Sequence, residues 1–131
     1  MTITILYIED NPLNMRLVRK LVNSFGYSMI EAMDGIAGLG KVYSDKPDLV
    51  LVDVNLPGMD GLEIATKIKA DPELAAIPVI ALTANAMHGD RERCLAAGCD
   101  AYIAKPIARQ ELHNTLLRFL AHDADAQTAA S

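Results

Sequence analysis

The stretch Asp48-Leu49-Val50-Leu51-Val52-Asp53-Val54-Asn55-Leu56-Pro57-Gly58-Met59-Asp60-Gly61 decides the fold. The run from Leu49 to Val52 is apolar without alternation, the pattern of a strand buried on both faces in a parallel sheet. It leads straight into a carboxylate, Asp53, and then into a loop punctuated by Pro57, Gly58 and Gly61. Asp53 therefore falls at the carboxyl end of a central strand, where open α/β sheets place their ligands. Taken alone, an aspartate there serves equally well as a turn residue or a cap. The rest of the chain decides between these readings.

With 131 residues, the chain has the size of one domain with a substantial core. It is 51% hydrophobic and 22% charged, ordinary for a globular protein. A net charge of −5 argues against a nucleic-acid surface, which needs a basic patch to follow phosphates. No apolar run reaches the roughly 20 residues that cross a bilayer, and no signal peptide opens the chain. A cytoplasmic protein without membrane insertion or direct nucleic-acid contact is therefore expected. Cys94 and Cys99 fit no usual zinc spacing and read as free thiols. His88, His113 and His122 form no ligand cluster.

Outward from the opening strand, β and α signals alternate five times. Ile3 to Ile8 is β-branched and aromatic, a first strand, and it ends in the adjacent acids Glu9 and Asp10. Asn11-Pro12 supplies a cap and a first helical residue. The helix runs to about Phe25, with Leu13, Leu17, Val18, Leu21, Val22 and Phe25 as its apolar stripe, and Gly26 stops it. Tyr27 to Ala32 is a second strand. A short helix from Ile36 to Ser44 contains Gly38 and Gly40, each costing about 1 kcal/mol relative to alanine. That helix is expected to be the least stable, held by packing. Beyond the Pro-Gly loop lie a helix over Gly61 to Ala70, a strand over Val79 to Leu82, and a helix from about Ala86 to Ala97. A strand over Ala101 to Ala104 and a helix from Arg109 to Ala121 complete the pattern. Residues 1–121 read as one domain and 122–131 as a short flexible tail. Such alternation implies an α/β fold, a doubly wound five-stranded parallel sheet with helices on both faces.

The strand ends then carry a constellation: Glu9 and Asp10 after the first, Asp53 after the third, Thr83 after the fourth, Lys105 after the fifth. In a flavodoxin-like sheet of order 2-1-3-4-5 the switch point lies between strands 1 and 3, so the acids converge there. Carboxylates about 4 Å apart repel by about 4 kcal/mol per pair at an effective dielectric near 20, and such a site asks for a cation. An oxygen-only, water-accessible set suits Mg²⁺, and Mn²⁺ fits as well. Asp53 then has an oxygen available as a nucleophile toward phosphorus. A divalent cation and Lys105 neutralise the phosphoryl oxygens in flight, with Thr83 as a hydrogen-bond donor.

At this point the chain resembles a response-regulator receiver domain of two-component signalling. The resemblance covers about residues 3–121 and rests on Ile8-Glu9-Asp10-Asn11, Val52-Asp53, Leu56-Pro57-Gly58-Met59-Asp60-Gly61, Leu82-Thr83-Ala84 and Tyr102-Ile103-Ala104-Lys105-Pro106. It implies that Asp53 is the phosphoacceptor and that Glu9, Asp10, Asp53 and the Asn55 carbonyl hold Mg²⁺. It also implies that Thr83 is the hydroxyl that moves toward the phosphoryl group, that Lys105 pairs with it, and that the Lys105-Pro106 bond is cis. Tyr102 matches the aromatic switch residue. Asn55 and Asn85 match positions that tune dephosphorylation.

The function implied is phosphotransfer from a histidine kinase or histidine phosphotransfer protein to Asp53. The face of helix 4, strand 5 and helix 5 then changes its affinity for a downstream protein. The chain resembles stand-alone cell-cycle regulators, and also receivers attached to hybrid histidine kinases. Few residues follow the last expected helix, which favours a single-domain regulator. Helix 1, with Arg16, Arg19 and Lys20 beside its apolar stripe, is the expected docking face for the phosphodonor. An aspartyl-phosphate phosphatase would want a second aspartate where Asn55 stands, and a flavodoxin-like flavin module would want a phosphate loop where Glu9 and Asp10 stand.

Overall fold

The computed structural model describes residues 2–84 and 89–130, with residues 121–130 described as backbone only. Ten elements alternate: β1 (Thr4–Ile8), α1 (Pro12–Ser24), β2 (Ser28–Ala32), α2 (Gly35–Asp45), β3 (Leu49–Asp53), α3 (Gly61–Ala70), β4 (Val79–Thr83), α4 (Arg91–Ala96), β5 (Ala101–Ala104) and α5 (Arg109–Ala130). The strands form one parallel sheet in the order β2-β1-β3-β4-β5, as expected.

The side-chain alternation along each strand splits the core into two layers. Leu6, Ile8, Val50, Val52, Val79 and Ala81 face α2, α3 and α4 through Val42, Ile64, Ile68 and Cys94. Ile5, Tyr7, Leu49, Leu51, Ile80 and Leu82 face α1 and α5 through Val18, Val22, Leu112 and Leu116. Every residue of β3 and β4 is buried, which is why those strands read as unbroken apolar runs.

Local chemistry sets the helix boundaries. The Asn11 side chain accepts from the N–H groups of Leu13 and Asn14 at 2.8 and 3.2 Å, with Pro12 at the first helical position. Asp34 caps α2 through Ala37 N–H, and Asp60 caps α3 through Glu63 N–H at 2.9 Å. In α2, a Cβ at Gly38 would stand 2.7 Å from Ile8 Cγ1, so this glycine lets the helix lie close on β1. Gly40 meets nothing within 4 Å.

Several expectations are corrected. The α1 stripe is narrower than the sequence suggests: Met15, Val18 and Val22 are buried, whereas Leu13 is 71% and Leu17 45% exposed. At about 100° per residue Met15, Val18 and Val22 share one side of the helix, and Leu13 and Leu17 lie on another that faces away from the core. The last helix does not stop at Ala121 but continues through Ala130, in keeping with the alanine-rich sequence there. Helix α4 is Arg91–Ala96, and its expected start at Ala86 lies outside the described residues. The Lys105-Pro106 bond is cis, as the resemblance implies. Cys94 and Cys99 are free and buried, with the Cys99 thiol pushed up to about 12, chiefly by burial. No described helix is long and apolar enough to cross a membrane.

Candidate functional site

The site follows from strand pairing. In the β1–β3 ladder Ile8 stands opposite Val52, so the next residues, Glu9 and Asp53, emerge side by side at the carboxyl end of the sheet. Glu9 N–H donates to the Ala32 carbonyl at 2.9 Å, which continues the β1–β2 ladder and keeps this residue in register. Asp10 follows at the surface. Glu9, Asp10 and Asp53 each offer an oxygen within 4.8 Å of the others, and Glu9 and Asp53 are buried. The turn after Asp53 closes because Asn55 N–H donates to Asp53 Oδ1 at 2.9 Å, with exposed Asn55 beside the acid. A Cβ at Gly61 would stand 2.9 Å from the Asp53 carbonyl carbon, so the start of α3 approaches the site only as glycine.

Lys105 reaches across from the end of β5. Its Nζ donates to Asp53 Oδ2 at 2.8 Å and to Glu9 Oε1 at 3.2 Å, with the lysine side chain 20% exposed. The Asp53 carboxyl is pushed above its ordinary value by burial first and by the neighbouring Glu9 carboxylate. Lys105 and the Asn55 N–H pull it the other way. The Lys105 ammonium is raised: burial opposes its charge, but the contacts with Asp53 and Glu9 outweigh it. Such a donor set, three carboxylates of which two share one lysine, is the oxygen-rich chemistry that a hard divalent cation completes.

The remaining expected residues occupy the neighbouring strand ends. Thr83 is buried at the end of β4, one residue past the Asp53–Leu82 pair, and its hydroxyl donates to the Asp90 carboxylate. Tyr102, on β5, is half-buried and packs against the α2–α3–α4 layer. It also lines a depression between α4 and α5 with Arg91, Leu95, Glu111 and Arg118. Asn85 lies outside the described residues. The structure thus brings together Glu9, Asp10, Asp53 and Lys105, with Thr83 on the adjoining strand, from four separate segments.

Two residues escaped sequence reasoning. Tyr7 is wholly buried, and its hydroxyl donates to Glu9 Oε1 at 2.8 Å. Its signal was available, because residues two apart on a strand share a face. Asp90 is 4% exposed and accepts from both Thr83 and Arg93. Its sequence neighbourhood carries no pattern that marks it, so only the tertiary structure reveals it.

The fold and this cluster define a class: a flavodoxin-like α/β protein with an acidic, lysine-bridged cleft at the sheet's switch point. Residues 5–117 match the model of the response regulator receiver domain, and the chain belongs to that family. It is 44% identical over 120 residues to the polar-differentiation response regulator DivK of Brucella ovis, covering 92% of this chain and 98% of that one. Among solved structures it resembles the receiver domain of sensor histidine kinase PA1611 of Pseudomonas aeruginosa, whose active-site cleft holds a coordinated magnesium ion. The TM-score is 0.86 at 39% identity, over 92% of this chain and 99% of that one. The receiver domain of a signal transduction histidine kinase from Syntrophus aciditrophicus is also similar, with a TM-score of 0.85 at 31% identity over 91% and 90% of the two chains. The protein is a receiver of phosphorylation-based, two-component signalling.

Proposed function

We propose that Asp53 is the phosphoacceptor and that the protein works as a single-domain response regulator. The observation that carries this reading is the Lys105 ammonium bonded to Asp53 Oδ2 beside Glu9 and Asp10. One Asp53 oxygen attacks phosphorus as the N–P bond of a donor phosphohistidine breaks, and that electron pair returns to the imidazole nitrogen. Glu9 and Asp10, with Asp53 and the Asn55 carbonyl, hold Mg²⁺. Bound there, the ion neutralises charge on the phosphoryl oxygens. Lys105 moves from the carboxylate to the phosphoryl group, and the Thr83 hydroxyl donates to it. Tyr102 responds to the threonine, and the face of α4, β5 and α5 then binds a downstream protein.

The donor is a histidine kinase or a histidine phosphotransfer protein, and the chemistry of the site also fits a receiver carried by a hybrid kinase. Support for the second arrangement comes from the two kinase receivers that the fold resembles. The phosphoacceptor and signalling unit spans residues 1–121, and Leu120 is the last buried side chain among the described residues. A cytoplasmic setting suits a site fed by a kinase. The test is incubation with Mg²⁺ and acetyl phosphate followed by intact-mass measurement. One phosphoryl mass appears on the wild type and none on Asp53→Asn. An unmodified wild type overturns the reading.

A further inference from the structure

Glu9 is the most enclosed carboxylate of the cluster, at 0% exposure, and its two oxygens are treated differently by the protein. Three donors converge on Oε1: the Tyr7 hydroxyl at 2.8 Å, Lys105 Nζ at 3.2 Å and Asn14 Nδ2 at 3.3 Å. Oε2 accepts only a long bond, from Asn11 N–H at 3.3 Å, among the described residues. A carboxylate oxygen has two lone-pair sites, so three donors saturate Oε1 and leave capacity on Oε2. Tyr7 reaches Glu9 because Glu9, one residue past β1, continues the strand's alternation and projects on the same side, and Asn14 reaches it from the first turn of α1.

Resting on the Mg²⁺ site above, we propose that Tyr7 and Asn14 are positioning residues for the metal, anchoring Glu9 Oε1 so that Oε2 is presented with Asp10 and Asp53. The argument is one of conformational freedom and charge. A glutamate has more rotatable bonds than an aspartate, and ordering it costs entropy on binding unless it is ordered beforehand. A buried carboxylate also needs hydrogen bonds to remain in place. Tyrosine and asparagine supply both without adding positive charge, so the negative field that attracts the cation is kept. A further lysine in either position would cancel it. Donors behind a metal ligand typically govern affinity in this way.

The test is a calorimetric titration of the full chain with MgCl₂, paired with acetyl phosphate labelling at graded Mg²⁺. Tyr7→Phe, which keeps the ring and loses the hydroxyl, weakens Mg²⁺ binding roughly tenfold. Asn14→Ala weakens it severalfold, and being half-buried on α1 it keeps the proposal testable should Tyr7→Phe fail to fold. The labelling deficit of both variants disappears at saturating Mg²⁺. In a Glu9→Asp background the shorter carboxylate is withdrawn from the phenol, so adding Tyr7→Phe has no further effect. Variants that bind Mg²⁺ within twofold of wild type overturn the proposal, as does a deficit that Mg²⁺ does not restore or an undiminished effect in Glu9→Asp. A wild type that binds Mg²⁺ with this variant pattern but takes no phosphoryl group overturns the proposed function and leaves the positioning role standing.

Discussion

The Thr83 hydroxyl donates to the carboxylate of Asp90, whose other oxygen accepts from Arg93 at 2.8 Å. Both Thr83 and Asp90 are buried, so the hydroxyl proposed to move on phosphorylation is tied at rest to the segment leading into α4. Truncating a buried hydrogen-bonded acceptor costs about 1–3 kcal/mol. Asp90→Ala is therefore expected to lower urea stability by about that amount. In the double mutant with Thr83→Val the losses add incompletely, because both substitutions remove the same bond. Full additivity in the cycle would show that the contact contributes nothing.

The raised Asp53 carboxyl makes stability depend on pH. An acid whose folded-state pKa lies above its unfolded value holds its proton longer when folded. Its contribution is most favourable in acid and is lost as pH rises from the ordinary carboxylate range through the folded-state value. Asp53→Asn removes the titration while Glu9 remains a partner for Lys105. Metal-free Asp53→Asn is expected to melt above wild type at neutral pH, with the gap closing as pH falls. Mg²⁺ should close it too, by stabilising wild type. Thermal melts at several pH values, with and without chelator, check both halves.

Two glycines in α2 should respond oppositely to the same change. Gly40→Ala enters open space and gains helix propensity, stabilising by about 0.5–1 kcal/mol. Gly38→Ala drives a methyl group into Ile8 on the interior β1 strand, an overpacking that costs about 1–3 kcal/mol. Because Ile8 directly precedes Glu9, Gly38→Ala is also expected to weaken Mg²⁺ binding. Denaturant titration separates the two variants.

Leu13 and Leu17 stand exposed on α1, the helix that follows Glu9 and Asp10 in the chain. Large apolar side chains so placed mark a contact surface. Leu13→Ser is expected to change stability by less than about 0.5 kcal/mol. It should slow phosphotransfer from a phosphorylated histidine protein severalfold while leaving acetyl phosphate labelling unchanged. Equal rates from both donors would remove α1 from the docking face. Arg19, expected to serve that face, is engaged by a bidentate ion pair with Glu31 of β2.

Much of this protein can be read from the chain alone, for reasons of period and position. Unbroken apolar runs at Leu49–Val52 and Val79–Leu82, short, β-branched and bounded by turn residues, suit strands covered on both faces, and the alternation with helices then points to a parallel sheet. Once the sheet order is known, acids and a lysine placed just after strand ends must gather at one edge, which is why Glu9, Asp10, Asp53 and Lys105 were found together. Side-chain choices among nearby partners are another matter. Which Glu9 oxygen is anchored, that Tyr7 and Asn14 anchor it, and that Thr83 turns to Asp90 all depend on distances of a few tenths of an ångström. Segments remote in sequence, up to 96 residues apart for Lys105 and Glu9, set those distances. The same holds for Leu13 and Leu17, which belong to the apolar stripe of the sequence although α1 turns the side of Met15, Val18 and Val22 to the core. Periodicity states which side of a helix is apolar, and only the packed neighbours state how much of that side is covered.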